Sequence, residues 1–223
     1  MRLQDHCLLI SDMQSNAGAA MVHAFAAAGA HVAFGGKDAE RGHKLQELLE
    51  ATGANTLFVE VDPCNESSVQ SFISDAIMTF GRLDGVVINH TLKPEPTTLE
   101  DALQADLLAA QYAAPFLSAS PHGSVVLVGQ GGISANTLKQ QTEGLAAHWA
   151  PQGIRTNSIL AGAMLSSIDG DSTDHIVDAI ESIPMSRLGT PDDIVQPCGF
   201  LLSTDSSYIT GTVLHCDGGA SLN

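Results

Sequence analysis

The sequence predicts an α/β fold, a doubly wound parallel sheet of about seven strands with helices on both faces. Two observations lead to this prediction. Short aliphatic runs alternate with amphipathic stretches of helical length along the whole chain, a pattern typical of parallel sheets. The aliphatic runs are continuous rather than alternating, as expected of strands that are covered by helices on both faces. A length of 223 residues without a linker or repeat favours one domain spanning residues 1–223.

The individual elements follow from hydrophobic spacing. Seven β-branched or aliphatic runs are predicted as strands, at residues 7–11, 31–35, 56–61, 85–89, 124–129, 155–159 and 212–216. Six stretches with apolar residues three and four apart are predicted as helices, at residues 16–28, 39–51, 66–80, 99–117, 135–150 and 192–202. Gly29 is expected to end the first helix, and Asp38 and Asn65 to cap the next two. Pro191 marks the start of the last helix.

Composition excludes several classes of partner. Nine Lys and Arg residues stand against 25 Asp and Glu residues, which gives a net charge of −16, so nucleic acid and membrane surfaces are poor partners. The four cysteines lack Cys-x-x-Cys spacing and the nine histidines are dispersed, so no metal site is expected. This cysteine usage and an N-terminus unlike a secretory signal favour a cytoplasmic location.

A ligand of such a sheet binds beyond the carboxyl ends of the strands, near the point where the strand order reverses. The segments to consider are residues 11–18, 36–38, 62–65, 89–91, 129–134 and 161–167. The sequence contains neither a P-loop nor a Gly-x-Ser-x-Gly motif, so phosphoryl transfer and serine hydrolysis are not indicated.

Several motifs resemble those of one known family. They are GRLD at 81–84, GIRTN at 153–157, IPMSRLGTPDDI at 183–194, SYITG at 207–211 and CDGG at 216–219. On these motifs the chain resembles the short-chain dehydrogenase/reductase family over essentially its whole length. The resemblance implies a Rossmann-like fold and hydride transfer between NAD(P) and an alcohol or carbonyl.

The resemblance also implies where a dinucleotide would bind, if one binds. Lys37 stands where a basic residue favours the phosphate of NADP, and Asp62 matches the acid that meets the adenine. For Asp62 and Asn89 a structural role, as a helix-capping acid and a strand-end amide, is the favoured interpretation. The matched positions are Ser11, Gly18, Lys37, Asp62, Asn89 and Ser166.

The first turn departs from the family pattern. The family's Thr-Gly-x-x-x-Gly-x-Gly reads SDMQSNAG at 11–18, with Gly18 alone retained and Asn16 able to adopt a left-handed conformation at modest cost. An Asp12 carboxylate ~4 Å from a diphosphate charge would be repelled by roughly 4 kcal/mol at an effective dielectric of about 20. The alternative is that Asp12 turns to solvent or caps the next helix. The expectation is therefore no cofactor, or only weak NAD(P) binding.

The family's proton-transfer tyrosine has no counterpart. The chain has two tyrosines, Tyr112 within a predicted helix and Tyr208 in the SYITG segment. Counting back from the GIRTN motif places the family's Tyr and Lys at Gly131 and Ala135. If one helical turn is missing, they fall at Ala135 and Lys139, which retains the lysine alone.

A rearranged proton-transfer set can be drawn from the remaining residues. Asp106 at the family's Asn position is the candidate base, and His90 is the candidate acid or shuttle. The family's Ser falls at Gln130 or Gly129, so Gln130 is the candidate oxyanion donor, and Lys139 is the electrostatic partner. The alternatives are a strand-end imidazole for His90, a solvent-exposed helix acid for Asp106 and a surface charge for Lys139.

Three functional hypotheses remain open at this point. The first is a protein of this fold that has lost hydride transfer and performs cofactor-independent acid/base chemistry on, or simply binds, a small molecule. The second is an NAD(P)-dependent oxidoreductase whose proton donor is replaced by His90, Asp106 or water. The third is a non-catalytic subunit that pairs with an active paralogue. Ala and Leu on more than one face of the helices at 99–117 and 135–150 favour a homodimer or homotetramer.

Overall fold

The predicted sheet is confirmed. The computed structural model describes residues 2–63, 65–90, 99–129, 134–165 and 173–222, and the side chains of residues 90, 99–106 and 173–175 lie outside this description. The strands, numbered along the chain, are β1 Cys7–Ile10, β2 His31–Gly36, β3 Thr56–Glu60, β4 Gly85–His90, β5 Ser124–Gly129, β6 Arg155–Ala161 and β7 Val213–Cys216. All their pairings are parallel, in the order β3-β2-β1-β4-β5-β6-β7.

Helices cover both faces of the sheet. They are α1 Asn16–Ala27, α2 Ala39–Glu50, α3 Glu66–Phe80, α4 Leu99–Ala119, α5 Ala135–Trp149, α6 Thr173–Glu181 and α7 Pro191–Leu202. One core packs α1, α2 and α7 against the sheet through residues such as Phe25, Leu49 and Ile194. The other packs α3, α4 and α5 through Phe72, Ala110 and Trp149. Within the described ranges, no helix has both the length and the apolar character needed to cross a bilayer.

The residues predicted to begin or end helices do so in the structure. Asp38 accepts a hydrogen bond from the Arg41 N–H at 3.0 Å and Asn65 accepts one from Ser68 N–H at 3.0 Å, so both residues are N-caps. Gly29 follows α1 with φ +83°, a conformation that side chains rarely adopt, and Pro191 is the first residue of α7. Asp38 and Asn65 therefore begin α2 and α3 at the carboxyl edge of the sheet, just after β2 and β3, and Gly29 leads from α1 back to the start of β2.

One described helix is absent from the sequence-based prediction. α6 has nine residues, and its apolar residues form a single short stripe in which Val177 is 46% exposed. So short a stripe does not stand out from loop sequence. The short 3-10 segments Ala150–Gln152, Thr204–Ser206 and Ala220–Leu222 are also absent from the prediction. The remaining differences are shifts of one or two residues at element ends, as is usual for frayed termini.

Three of the described residues are cysteines with free thiols. Cys7 and Cys198 are buried and Cys216 is half-buried. Burial raises the pKa of the Cys198 thiol far above its ordinary value. Cys198 therefore behaves as an apolar side chain of α7.

A buried carboxylate joins three strands at the amino edge of the sheet. The Asp84 side chain is completely buried and accepts hydrogen bonds from Cys7 N–H at 2.8 Å, Ser120 Oγ at 2.6 Å and Arg82 Nε at 2.9 Å. Burial by itself would raise the pKa of Asp84, but the hydrogen bonds and the Arg82 charge outweigh burial and lower it. Asp84 therefore stays ionised and fixes the start of β1 against β4 and β5.

Substitution of Asp84 by Asn tests this role. We expect D84N to lower the free energy of unfolding by about 3 kcal/mol at neutral pH, because Arg82 and two other donors lose a charged acceptor. Asp84 has a lowered folded-state pKa, so its contribution is complete above about pH 4, its ordinary unfolded pKa, and disappears as the pH falls through the folded-state pKa. The difference between D84N and wild type should therefore shrink in acid, as measured by urea unfolding.

The matched control is D205N, which removes the carboxylate of the exposed Arg2–Asp205 ion pair. Exposed pairs contribute about 0 to 1 kcal/mol. Equal losses in D84N and D205N would contradict the role given to Asp84.

Candidate functional site

The turn between β1 and α1 lies where the strand order reverses. Ser11 N–H donates to Val87 O of β4 at 2.9 Å, and Met13 N–H donates to Gly35 O of β2 at 2.8 Å. Ser15 is the N-cap of α1, and its hydroxyl accepts the Gly18 N–H at 3.0 Å. The first turn of α1 contains no acidic residue. The positive end of the helix dipole therefore faces the crevice between β1 and β4, as an anionic ligand requires.

The Asp12 carboxylate is held inside its own turn. Asp12 Oδ1 accepts the Gln14 N–H at 2.8 Å, so Asp12 supports the loop backbone rather than capping α1. No residue from 11 to 18 has a positive φ, and Asn16 is a regular helical residue. The left-handed conformation open to Asn16 is therefore not used, and the loop keeps its path with a single glycine because its backbone needs no glycine conformation.

Gly18 is required by close packing. A Cβ on Gly18 would lie 2.3 Å from Asp12 O and 2.9 Å from Asn89 Nδ2, closer than such atoms approach in proteins. Helix α1 therefore lies against the turn that precedes it. Glycine at this position allows the close approach of helix and strand that the first turn of a doubly wound fold makes.

Asn89 connects β4 to the β1–α1 turn. Its side-chain Nδ2 donates to Ser15 Oγ at 2.6 Å and to Asp12 O at 3.2 Å, and its backbone N–H donates to Ser11 Oγ at 3.1 Å. Asn89 is 3% exposed, so these bonds are shielded from water. The bonds agree with the structural interpretation of Asn89 and bring the predicted residues Ser11 and Asn89 together.

Lys37 and Asp62 lie side by side after β2 and β3. Their side chains form an ion pair with an N–O distance of 2.9 Å, and each side chain is half exposed. Arg41, which the sequence analysis did not single out, donates from Nη1 to Gln14 O at 2.9 Å. Arg41 could have been identified from the sequence by its position in the first turn of α2, three residues after the cap residue Asp38.

The structure describes the candidate site residues to different degrees. His90 is the last residue of β4 and Asp106 lies within α4, while Gln130 and Ser166 fall outside the described residues. Lys139 is on the first turns of α5, with its side chain 62% exposed and 3.9 Å from Glu143. The structure therefore gives the backbone positions of His90 and Asp106, and the proton-transfer set remains a prediction.

Neither tyrosine stands at the start of α5. The Tyr112 hydroxyl donates to the Glu66 carboxylate of α3, and this hydrogen bond raises the pKa of Tyr112. Tyr208 follows the short helix Thr204–Ser206 and is fully exposed. The position aligned with the family tyrosine when one turn is omitted is Ala135, the first residue of α5.

A separate cavity of about 290 Å³ lies beyond β7, at the edge of the sheet. Its charged side chains are already bonded, because Arg187 makes two 2.8 Å bonds to Asp193, and Asp217 accepts the backbone N–H groups of Gly219 and Ser221. β7 is separated from β4 by two strands. The cavity is therefore distinct from the crevice at β1 and β4. Among the described residues, no cluster of His, Cys, Asp and Glu could hold a metal ion.

Comparisons with known proteins identify the family of this chain. A family model described as Enoyl-(Acyl carrier protein) reductase matches residues 13–129 and 122–221. The short-chain dehydrogenase/reductase from Serratia marcescens BCRC 10948 superposes with a TM-score of 0.86 and 24% identity, over 99% of this chain and 100% of that one. The chain belongs to the short-chain dehydrogenase/reductase family.

Relatives within the family are named dehydrogenases. The 2,5-dichloro-2,5-cyclohexadiene-1,4-diol dehydrogenase LinX of Sphingobium indicum is 29% identical over 245 residues, which cover 99% of this chain and 98% of that protein. The L-rhamnose 1-dehydrogenase (NAD(P)(+)) of Sphingomonas sp. (strain SKA58) is 27% identical over 202 residues, which cover 78% of this chain and 80% of that protein.

These relatives correct two expectations. The hypothesis that the protein has lost hydride transfer is wrong, because the relatives are dehydrogenases and point to NAD(P)-dependent oxidoreduction. The expectation of no cofactor or only weak NAD(P) binding is wrong for the same reason. The physical error was to treat Asp12 as a bare charge at the diphosphate, whereas its carboxylate accepts a backbone N–H of its own turn.

Substitution of Gly18 tests the geometry of this short-chain dehydrogenase/reductase turn. Alanine normally stabilises a helix relative to glycine by about 1 kcal/mol. We expect G18A instead to lower the free energy of unfolding by about 1 to 3 kcal/mol, because the added Cβ overlaps Asp12 O. Thermal and urea unfolding measure this change.

The control is N16A in the same turn of α1, at an exposed residue. It should alter stability by no more than about 0.5 kcal/mol. An increase in stability for G18A would mean that α1 does not lie against the turn.

Proposed function

We propose that the protein is an NAD(P)-dependent oxidoreductase that transfers hydride between the cofactor and an alcohol or carbonyl group of a small molecule, with a proton donor that replaces the family tyrosine. Membership of the family and the dehydrogenase activities named for its relatives support the reaction class. The absence of a tyrosine at the start of α5 supports a replaced donor.

The observation that carries the proposal is the β1–α1 turn. Its helix begins at the crevice between β1 and β4, has no acid in its first turn, and approaches the turn closely at Gly18. A diphosphate fits such a helix N-terminus because the helix dipole and exposed N–H groups favour negative charge. The bonds from Asn89 to Ser15 and Asp12 would keep the turn in place whether or not the cofactor is bound.

The adenosine end of the cofactor would meet Lys37 and Asp62. Since Lys37 is bound to Asp62 at 2.9 Å, a 2′-phosphate would compete with this carboxylate for the ammonium group. Arg41 lies on the neighbouring helix turn and offers a second cation. Lys37 and Arg41 favour NADP over NAD, because these cations attract the 2′-phosphate, which the Asp62 carboxylate alone would repel.

When bound, the nicotinamide ring supplies or accepts the hydride. The chain must then move one proton to or from the substrate oxygen, and His90 and Asp106 are the titratable candidates beside the crevice. Gln130 would donate a hydrogen bond to the substrate oxygen, and Lys139 would lower the cost of negative charge there. Ser166 is the candidate contact on the nicotinamide side.

Direct cofactor binding tests the proposal. We expect calorimetry to give dissociation constants for NADPH in the micromolar range, about 10 μM or below, and weaker binding of NADH. K37S should reduce NADPH affinity by about tenfold and leave NADH affinity nearly unchanged, because Lys37 meets only the 2′-phosphate. K44S, an exposed cation on α2, is the control. Lack of binding by either dinucleotide would refute the proposed function.

Proton transfer is tested with H90Q and D106N, which keep side-chain shape and remove titration. Each should lower kcat by at least about 10²-fold if its residue transfers the proton, while H148Q on the exposed side of α5 should not. Full activity in H90Q and D106N would leave water as the donor.

We also propose self-association through α4 and α5. Phe116 on α4 is 39% exposed, and Gly144 in the middle of α5 has open space around the position of a Cβ. A helix glycine costs about 1 kcal/mol, which is offset where a second helix packs against it. G144R should therefore dissociate a homodimer or homotetramer, whereas K139Q on the same helix should not. A wild-type mass near 23.2 kDa by light scattering would contradict self-association.

The cytoplasm is the proposed location, with residues 1–223 acting as one domain. Cys7, Cys198 and Cys216 carry free thiols, which supports a reducing compartment. Fractionation of the producing cells tests the location.

A further inference from the structure

The chain carries far more negative than positive charge. It has 25 Asp and Glu residues against nine Lys and Arg residues, which gives a net charge of −16 with neutral histidine. Several of the cations are also already committed to a carboxylate in the described structure. These pairs are Arg2–Asp205, Lys37–Asp62, Arg82–Asp84, Lys139–Glu143 and Arg187–Asp193. The surface potential of the protein is therefore negative.

At the edge of the sheet that would receive a dinucleotide, the described residues include more carboxylates than Lys and Arg side chains. Among the described residues that follow β1, β2 and β3, the carboxylates of Asp12, Asp38 and Asp62 stand near the cations of Lys37 and Arg41. Lys37 is paired with Asp62. The ligand that the proposed function assigns to this edge is itself an anion, with two charges on the diphosphate and more on NADP.

Salt acts differently on near and distant charges. The screening length is about 30 Å at 0.01 M salt and about 8 Å at 0.15 M, so dilute buffer exposes the cofactor to the charge of the whole protein. At higher salt only the nearest groups act, and these include the α1 N-terminus, Lys37 and Arg41. Added salt therefore weakens the repulsion between the cofactor and distant carboxylates more than it weakens the attraction between the cofactor and these nearby groups.

We infer that ionic strength regulates dinucleotide binding in this protein, with salt strengthening the binding of the anionic cofactor. This inference rests on the proposed function, since it requires that NAD(P) binds at β1–α1. It has the opposite sign to ordinary anion binding at a basic surface, which salt weakens. NADPH carries the larger charge, so salt should strengthen its binding more than the binding of NADH.

Calorimetry across a salt series tests the inference. We expect the NADPH dissociation constant to fall by at least about threefold between about 10 mM and 150 mM KCl, and the NADH constant to fall less. A dissociation constant that rises with KCl would overturn the inference and leave the proposed function intact. Absence of binding at every KCl concentration would overturn both.

A triple variant isolates the effect of distant charge. E47Q, D75N and D178N combined remove three acids from α2, α3 and α6 and change the net charge from −16 to −13. This variant should bind NADPH more tightly than wild type in dilute KCl and show a smaller salt response. The matched control E47D, D75E and D178E keeps the charge and should follow wild type. Identical salt responses in the two triple variants would overturn the inference.

Discussion

The pairing of β1 with β4 positions the turn that leads into α1, and side chains secure both ends of this pair. At the amino end, Asp84 accepts the Cys7 N–H at 2.8 Å. At the carboxyl end, the Asn89 N–H donates to Ser11 Oγ, and its side chain holds Asp12 O. Because the strand order reverses between these strands, a shift of one against the other would displace the turn that leads into α1.

The fold was predictable because its signals are local. Continuous aliphatic runs mark strands that are covered on both faces, and Gly29, Asp38 and Asn65 mark helix ends through their own backbone or side-chain chemistry. The nine-residue helix α6 was missed because one short apolar stripe carries little information.

The site was only partly predictable, because its geometry depends on contacts between distant residues. Lys37 and Asp62 were each identified singly, and their ion pair arises from the neighbouring positions of β2 and β3 in the sheet. The bond from Gln14 N–H to Asp12 depends on the loop backbone, which no sequence pattern specifies. The functional hypothesis failed because missing glycines and a missing tyrosine were treated as loss of function, although the turn at 11–18 requires no glycine conformation.

Because Cys198 is completely buried, the reactivity of its thiol reports local opening of the native protein. The thiol lies in the core between α7 and the sheet, where burial keeps it protonated. An alkylating reagent attacks the thiolate, so it can reach this sulfur only when α7 separates from the sheet. Cys216 is only partly buried, so it serves as the reference thiol. The labelling rate of Cys198 relative to Cys216 therefore measures how often this helix opens in the native protein.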